Sequence, residues 1–185
     1  PEPPPPPPAP PARPFSATYQ FQFTDLKGGI NENSDAIALA EVYLFGANGE
    51  PLAIEGAGNP GYVPVNPNED VQKAVDGDET TKWLDAAILN GVSTLTVQLT
   101  EPSYVSSYTF VPDPDVSSGK RDPVSWTFGL LEADSFVELD AVVDYPPAVA
   151  GLSRGESYGL IYTVDPPAPP LSPSPAPPAP PTPPP

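Results

Sequence analysis

The chain has 185 residues, 33 of them proline, and its 24 acidic residues against seven basic ones give a formal net charge of -17. It has neither cysteine nor histidine, which excludes disulfides, thiolate metal sites and the usual imidazole base, so any catalysis would rest on carboxylates, Lys, Ser or Tyr. The acidic balance repels nucleic acid and anionic lipid and attracts cations, calcium included; no run approaches the roughly 18 apolar residues of a membrane span.

Residues 1–14, PEPPPPPPAPPARP, and 166–185, PPAPPLSPSPAPPAPPTPPP, hold 23 of the prolines. A ring-locked φ and a missing amide hydrogen exclude helix and sheet and predict extended polyproline II, as rods of roughly 40 and 60 Å. Proline at both ends also suggests a segment of a longer protein. Between the rods, residues 15–165 suit one domain with a real core. The net charge belongs almost wholly to this part.

The alternation of Phe15, Ala17, Tyr19, Phe21 and Phe23 against Ser16, Thr18, Gln20 and Gln22 predicts a strand with one dry face. AIALAEVYLF, 36–45, reads as strand or short helix, and Val42, Tyr43 and Phe45 favour strand in its second half. Residues 50–90, rich in Gly, Pro, Asn and Asp, read as an irregular stretch that needs tying to the core, with Trp83 and a bound cation as the ties. Strand patterns resume at 93–99, 104–111, 124–131, 135–143 and 157–164, with Pro102, Pro112, Pro114 and Pro123 expected between them. About seven short strands and no helical period predict an all-β sandwich or jelly roll.

Asp76, Asp78 and Glu79 offer hard oxygen ligands within four positions, without EF-hand spacing; DGDE suits calcium and equally suits a solvated turn. Trp83 and Trp126 are expected in the core, Trp126 because it alternates in step with Val124 and Phe128. Tyr62, in a loop between Gly61 and Val63, is the better candidate for contact with a glycan or partner protein. Lys120 and Arg121 form the only basic cluster, either docking on a neighbour's carboxylates or lying in a solvated turn. The acid pairs Glu138 with Asp140 and Asp113 with Asp115 would need a cleft and unequal environments to act as a glycosidase, and nothing in the sequence indicates a cleft. No enzyme is expected.

Asp76-Gly77 before Thr81 and Trp83, then Leu95, Val97 and Leu99, then Pro123, Ser125 and Trp126, resemble in that order the discoidin, or coagulation factor 5/8 type C, family of galactose-binding-like jelly rolls. AIALAEVYLFGANG resembles the strand that often closes such domains, here near the start as in a permuted or extended variant. The resemblance implies a discoidin-like jelly-roll β-sandwich whose end loops bind glycans, phospholipid or protein. It also implies a structural calcium held by Glu41, Asp76, Asp78 and Thr81, with carbonyls near Lys73. The family's terminal cysteines and a sugar-gripping arginine or histidine are absent. Ser172-Pro173 and Ser174-Pro175 resemble the hydroxyproline-rich glycoproteins of algal and plant walls, which implies hydroxylation and O-glycosylation at Pro173 and Pro175.

These readings converge on a structural module of an extracellular hydroxyproline-rich glycoprotein, in a cell wall, matrix or ciliary surface filament. Its expected partners are other extracellular glycoproteins or copies of itself. A carbohydrate-binding adhesion module on rigid stalks is the alternative. A proline-rich ligand for SH3- or profilin-like proteins would need unmodified prolines and a cytosolic location.

Overall fold

In strand β1 (Ser16–Leu26) the predicted dry face holds from Tyr19 onward, with Tyr19, Phe21 and Phe23 fully buried, whereas Ala17 is half-buried and Phe15, ahead of the strand, is 63% exposed because no opposing sheet covers it. The computed structural model describes residues 15–30, 36–62, 66–113, 119–133, 135–145, 158–159 and 161–162. The proline blocks, and with them Pro173 and Pro175, lie outside the described residues, as does Asp115.

The chain continues through β2 (Ile37–Phe45), β3 (Ile54–Gly58), β4 (Trp83–Asp85), β5 (Ser93–Ser103), β6 (Ser107–Pro112), β7 (Pro123–Glu132), β8 (Ser135–Val142) and β9 (Ile161–Tyr162). These make two antiparallel sheets, ordered β3-β5-β1-β7-β8 and β4-β2-β6-β9. The protein is an all-β sandwich. Apart from the β7–β8 hairpin, each successive strand lies in the opposite sheet.

Phe21 stands at the centre of the core. Its ring lies 4.6 Å from Phe128 beside it in the same sheet, and 5.1 and 5.2 Å from Tyr108 and Phe110 across the sandwich. Each such ring, wholly removed from water, contributes about 1.5–3 kcal/mol before entropy is charged. Trp83 and Trp126 are both core residues, as expected. On the outer face of the larger sheet, Thr18 donates to Gln98 at 2.7 Å and Gln20 to Thr96 at 3.2 Å, following their strand register.

Several sequence expectations need correction. The 36–45 run is strand from Ile37 onward with no helical half, because β4 and β6 pair with it on either side. The stretch 50–90 contains two strands, β3 and β4, plus a 3-10 turn over Val71–Ala74; a second 3-10 turn follows at Ala86–Asn90. Short strands were illegible there because backbone pairing with β5 and β2 orders them rather than side-chain alternation. Pro102 lies inside β5, at the irregularity where the pairing with β1 shifts between Ser16 and Thr18, a place where a missing donor is tolerated. Pro112 and Pro123 are terminal residues of β6 and β7, while Pro114 lies outside the described residues. Residues 104–106 connect β5 to β6 rather than belonging to a strand.

The register also fixes where the first and last strands of the described residues start and stop. Ser16 pairs with Ser103, and Tyr162 pairs with Ser107, on either side of the short β5–β6 connection. Chain entry and exit therefore lie at one end of the sandwich. The Leu26–Pro123 and Leu39–Pro112 pairs mark the opposite end.

Candidate functional site

The 76–81 loop is closed over β2 by Glu41, whose side chain is buried. Gly77 adopts φ 78, a left-handed conformation suited to glycine. The turn aims two backbone donors at one acceptor: the Gly77 and Asp78 N–H groups donate to Glu41 Oε1 at 2.6 and 3.1 Å. Asp76 accepts from Lys73 Nζ at 3.1 Å, from the Asp78 N–H at 3.0 Å and from Thr81 Oγ1 at 3.0 Å. Asp78 turns to Thr80, accepting from its N–H at 3.0 Å and its hydroxyl at 2.6 Å. Glu79 accepts from the Tyr43 hydroxyl at 3.1 Å.

The electrostatics divide these carboxyls. Burial, reinforced by the neighbouring Asp76 carboxylate, pushes Glu41 up to about 7 despite the two N–H donors. At Asp76 burial acts upward too, but Lys73, the Asp78 N–H and Thr81 outweigh it and hold the group below its ordinary value. Asp78 is lowered by the Thr80 hydroxyl and N–H. Tyr43 is pushed up to about 12 by burial and by Glu79.

The structure thus brings Glu41, Asp76 and Thr81 together and directs the Asp78 carboxylate along the loop. Among the described residues, no group of three or more carboxylates is arranged to hold a metal ion. The donor set that remains has hard-cation chemistry in part: two close carboxyls, one short of compensating positive charge, beside the Thr81 hydroxyl.

The other predicted site residues are dispersed. Tyr62 is half-buried with its hydroxyl out of solvent, on a side of the fold where Asp85, Asp70 and Glu69 add to burial in raising it. Lys120 and Arg121 are half-buried; their carbonyls accept from the Gly28 and Ala38 N–H groups at 3.0 and 3.3 Å, so their backbone links β7's approach to β1 and β2. Asp140 accepts from the Tyr108 hydroxyl at 3.0 Å while Glu138 is exposed. Asp113 is fully buried against Lys82.

Two features escaped the sequence. One is an open cleft of about 340 Å³ at the end opposite chain entry, lined by Asp25, Leu26, Lys27, Gly29, Val124, Asp144 and Tyr145. Tyr145 lies against Trp126 and Tyr158, with centroids at 5.5 Å from each. The other is the group formed by Lys82, Glu69 and Asp113. Both join residues far apart in sequence, so no local spacing announces them. Searches of protein-family models, curated proteins and solved structures return no match to this chain.

Proposed function

We propose that the chain is a structural module of an extracellular hydroxyproline-rich glycoprotein, belonging to a wall, matrix or ciliary surface filament, in which a discoidin-like jelly roll is carried on proline shafts. The observation that carries this reading is an acidic two-sheet sandwich whose sequence is bounded on both sides by proline blocks. The repeated crossing between sheets supports the jelly roll. Because entry and exit share one end, the sandwich would sit as a tip above its two shafts rather than as a bead in line. In this reading Glu41, Asp76 and Thr81 hold a calcium ion, which offsets carboxyl repulsion and pins the 76–81 loop.

Sedimentation of the native glycoprotein, with and without residues 1–14 and 166–185, tests assembly. Loss of assembly with the fold retained is the expected result; unchanged assembly overturns the shaft role. The second reading, a carbohydrate-binding adhesion module, is favoured by the Tyr145 cleft, which combines an aromatic ring with carboxylates at the end away from the shafts. Binding of the full chain to immobilised glycans, lost on Tyr145→Ala, would establish it.

A further inference from the structure

Lys82 and Asp113 flank β2 from opposite sides. Leu39 pairs with Trp83 of β4 and with Pro112 of β6, so Lys82, just before β4, and Asp113, just after β6, each lie one residue from the level of Leu39, Lys82 beside Ala40 and Asp113 beside Ala38. Trp83 points into the main core, whereas Leu84 joins Ala36 and Ala38 in a separate buried cluster. The intervening strand carries only alanines at these two levels, Ala38 and Ala40, and the long Lys82 side chain reaches across to Asp113. Its Nζ lies 3.3 Å from Asp113 Oδ1 and 3.6 Å from Glu69 Oε1. Lys82 is 9% exposed and Asp113 0%, with Glu69 the more open third member at 19% for its side chain.

The geometry points to an autocatalytic cross-link at this place: an isopeptide bond between Lys82 Nζ and Asp113 Cγ, with Glu69 as the proton carrier. Transfer of one proton from Nζ to the Asp113 carboxylate, within the existing contact, gives a neutral amine beside a neutral acid. The Nζ lone pair then forms the N–Cγ bond. Glu69 takes the proton released from nitrogen and returns it to the departing hydroxyl, the Cγ–O bond breaks, and water leaves. Ammonium and carboxylate become amide and water, with no oxidant, reductant or further reactant, and Glu69 ends as it began.

Three physical factors favour the step. Nζ is held 3.3 Å from an oxygen of the carboxyl it would attack, which replaces a bimolecular encounter by an intramolecular one. A buried ion pair bears a heavy desolvation penalty that a neutral amide does not. Glu69, the most exposed of the three side chains, sets the group at the edge of solvent. The bond would join the start of β4 to the loop after β6, the covalent clamp that a chain without cysteine cannot make by disulfide.

The test is the intact mass of the recombinant full-length chain, followed by tryptic mapping and fragmentation. The expected result is a mass lower than the sequence value by one water, no cleavage after Lys82, and a single peptide 74–120, one water light, whose Lys82-to-Asp113 loop yields no backbone fragments between those two residues. Glu69→Gln and Lys82→Arg should restore the full mass, and the far-ultraviolet spectrum of Glu69→Gln should stay that of a β protein. A wild-type chain at full mass after prolonged incubation, cut normally after Lys82, overturns the proposal. So does a water lost elsewhere, such as a succinimide at Asp76-Gly77, because Lys82 then remains a tryptic site.

Discussion

Trp126 Nε1 donates to the Tyr108 hydroxyl at 2.7 Å, and that hydroxyl in turn donates to Asp140 at 3.0 Å. Trp126 belongs to β7 of the larger sheet and Tyr108 to β6 of the smaller one, so this polar link passes through the aromatic core between sheets. Burial and the nearby Asp140 carboxylate raise the Tyr108 hydroxyl far above its ordinary value, outweighing the Trp126 donor. Tyr108→Phe leaves the indole N–H without its acceptor, and a loss of about 1–3 kcal/mol is expected. Urea unfolding followed by tryptophan fluorescence measures it; an unchanged midpoint would mean that the link contributes nothing.

Glu41 sets a pH dependence. Its folded value of about 7 lies above the ordinary 4.5, so the folded state holds the proton more tightly than the unfolded one. The stability contributed by this group is fully present below about pH 4.5 and is lost as pH rises through 7, by on the order of 3 kcal/mol. The lowered Asp76 acts in a separate window: its contribution is present above its ordinary 3.8 and lost as pH falls below that. Glu41→Gln keeps an oxygen for the Gly77 and Asp78 N–H groups and should flatten the slope between pH 4.5 and 7. Unfolding midpoints measured across that range decide the matter.

Calcium should counter the same penalty. At neutral pH, millimolar calcium is expected to raise the unfolding temperature of the wild-type chain, with a smaller rise for Asp76→Asn. Calorimetric titration that detects no heat, together with an unmoved unfolding temperature, removes the ion from the site.

Gly129 permits the close approach of β8 to β7. A β-carbon there would stand 2.2 Å from the Val137 carbonyl oxygen and 2.7 Å from the Phe136 ring, beside the irregularity between Phe128 and Gly129. Gly129→Ala must push β8 outward, and about 1–3 kcal/mol of destabilisation is expected. Hydrogen exchange should show amides of β8 losing protection before those of β1.

Shared chain entry and exit can be measured directly because there is no native cysteine to interfere. Spin labels on Ser16→Cys and Tyr162→Cys should lie within roughly 20 Å, the span of one sheet separation and a few strand spacings. Labels separated by the full length of the sandwich would contradict the β6–β9 register.

Local patterning made the two-sheet architecture readable. Phe21 and Phe23 alternate with glutamines, Trp126 alternates in step with Phe128, and prolines accumulate at the chain ends; period-two burial and a fixed φ act within a few residues, so sequence alone records them. The pairing of β3 and β4, the closure of Glu41 over Gly77, the Tyr145 cleft and the meeting of Lys82 with Asp113 carried no such record. Each depends on register between segments tens of residues apart, and that register is set by the packing of Phe21 against Tyr108 and Phe110 across the sandwich. Sequence determined which face of a strand would be dry; only the assembled sheets decided which carboxylate would face which lysine.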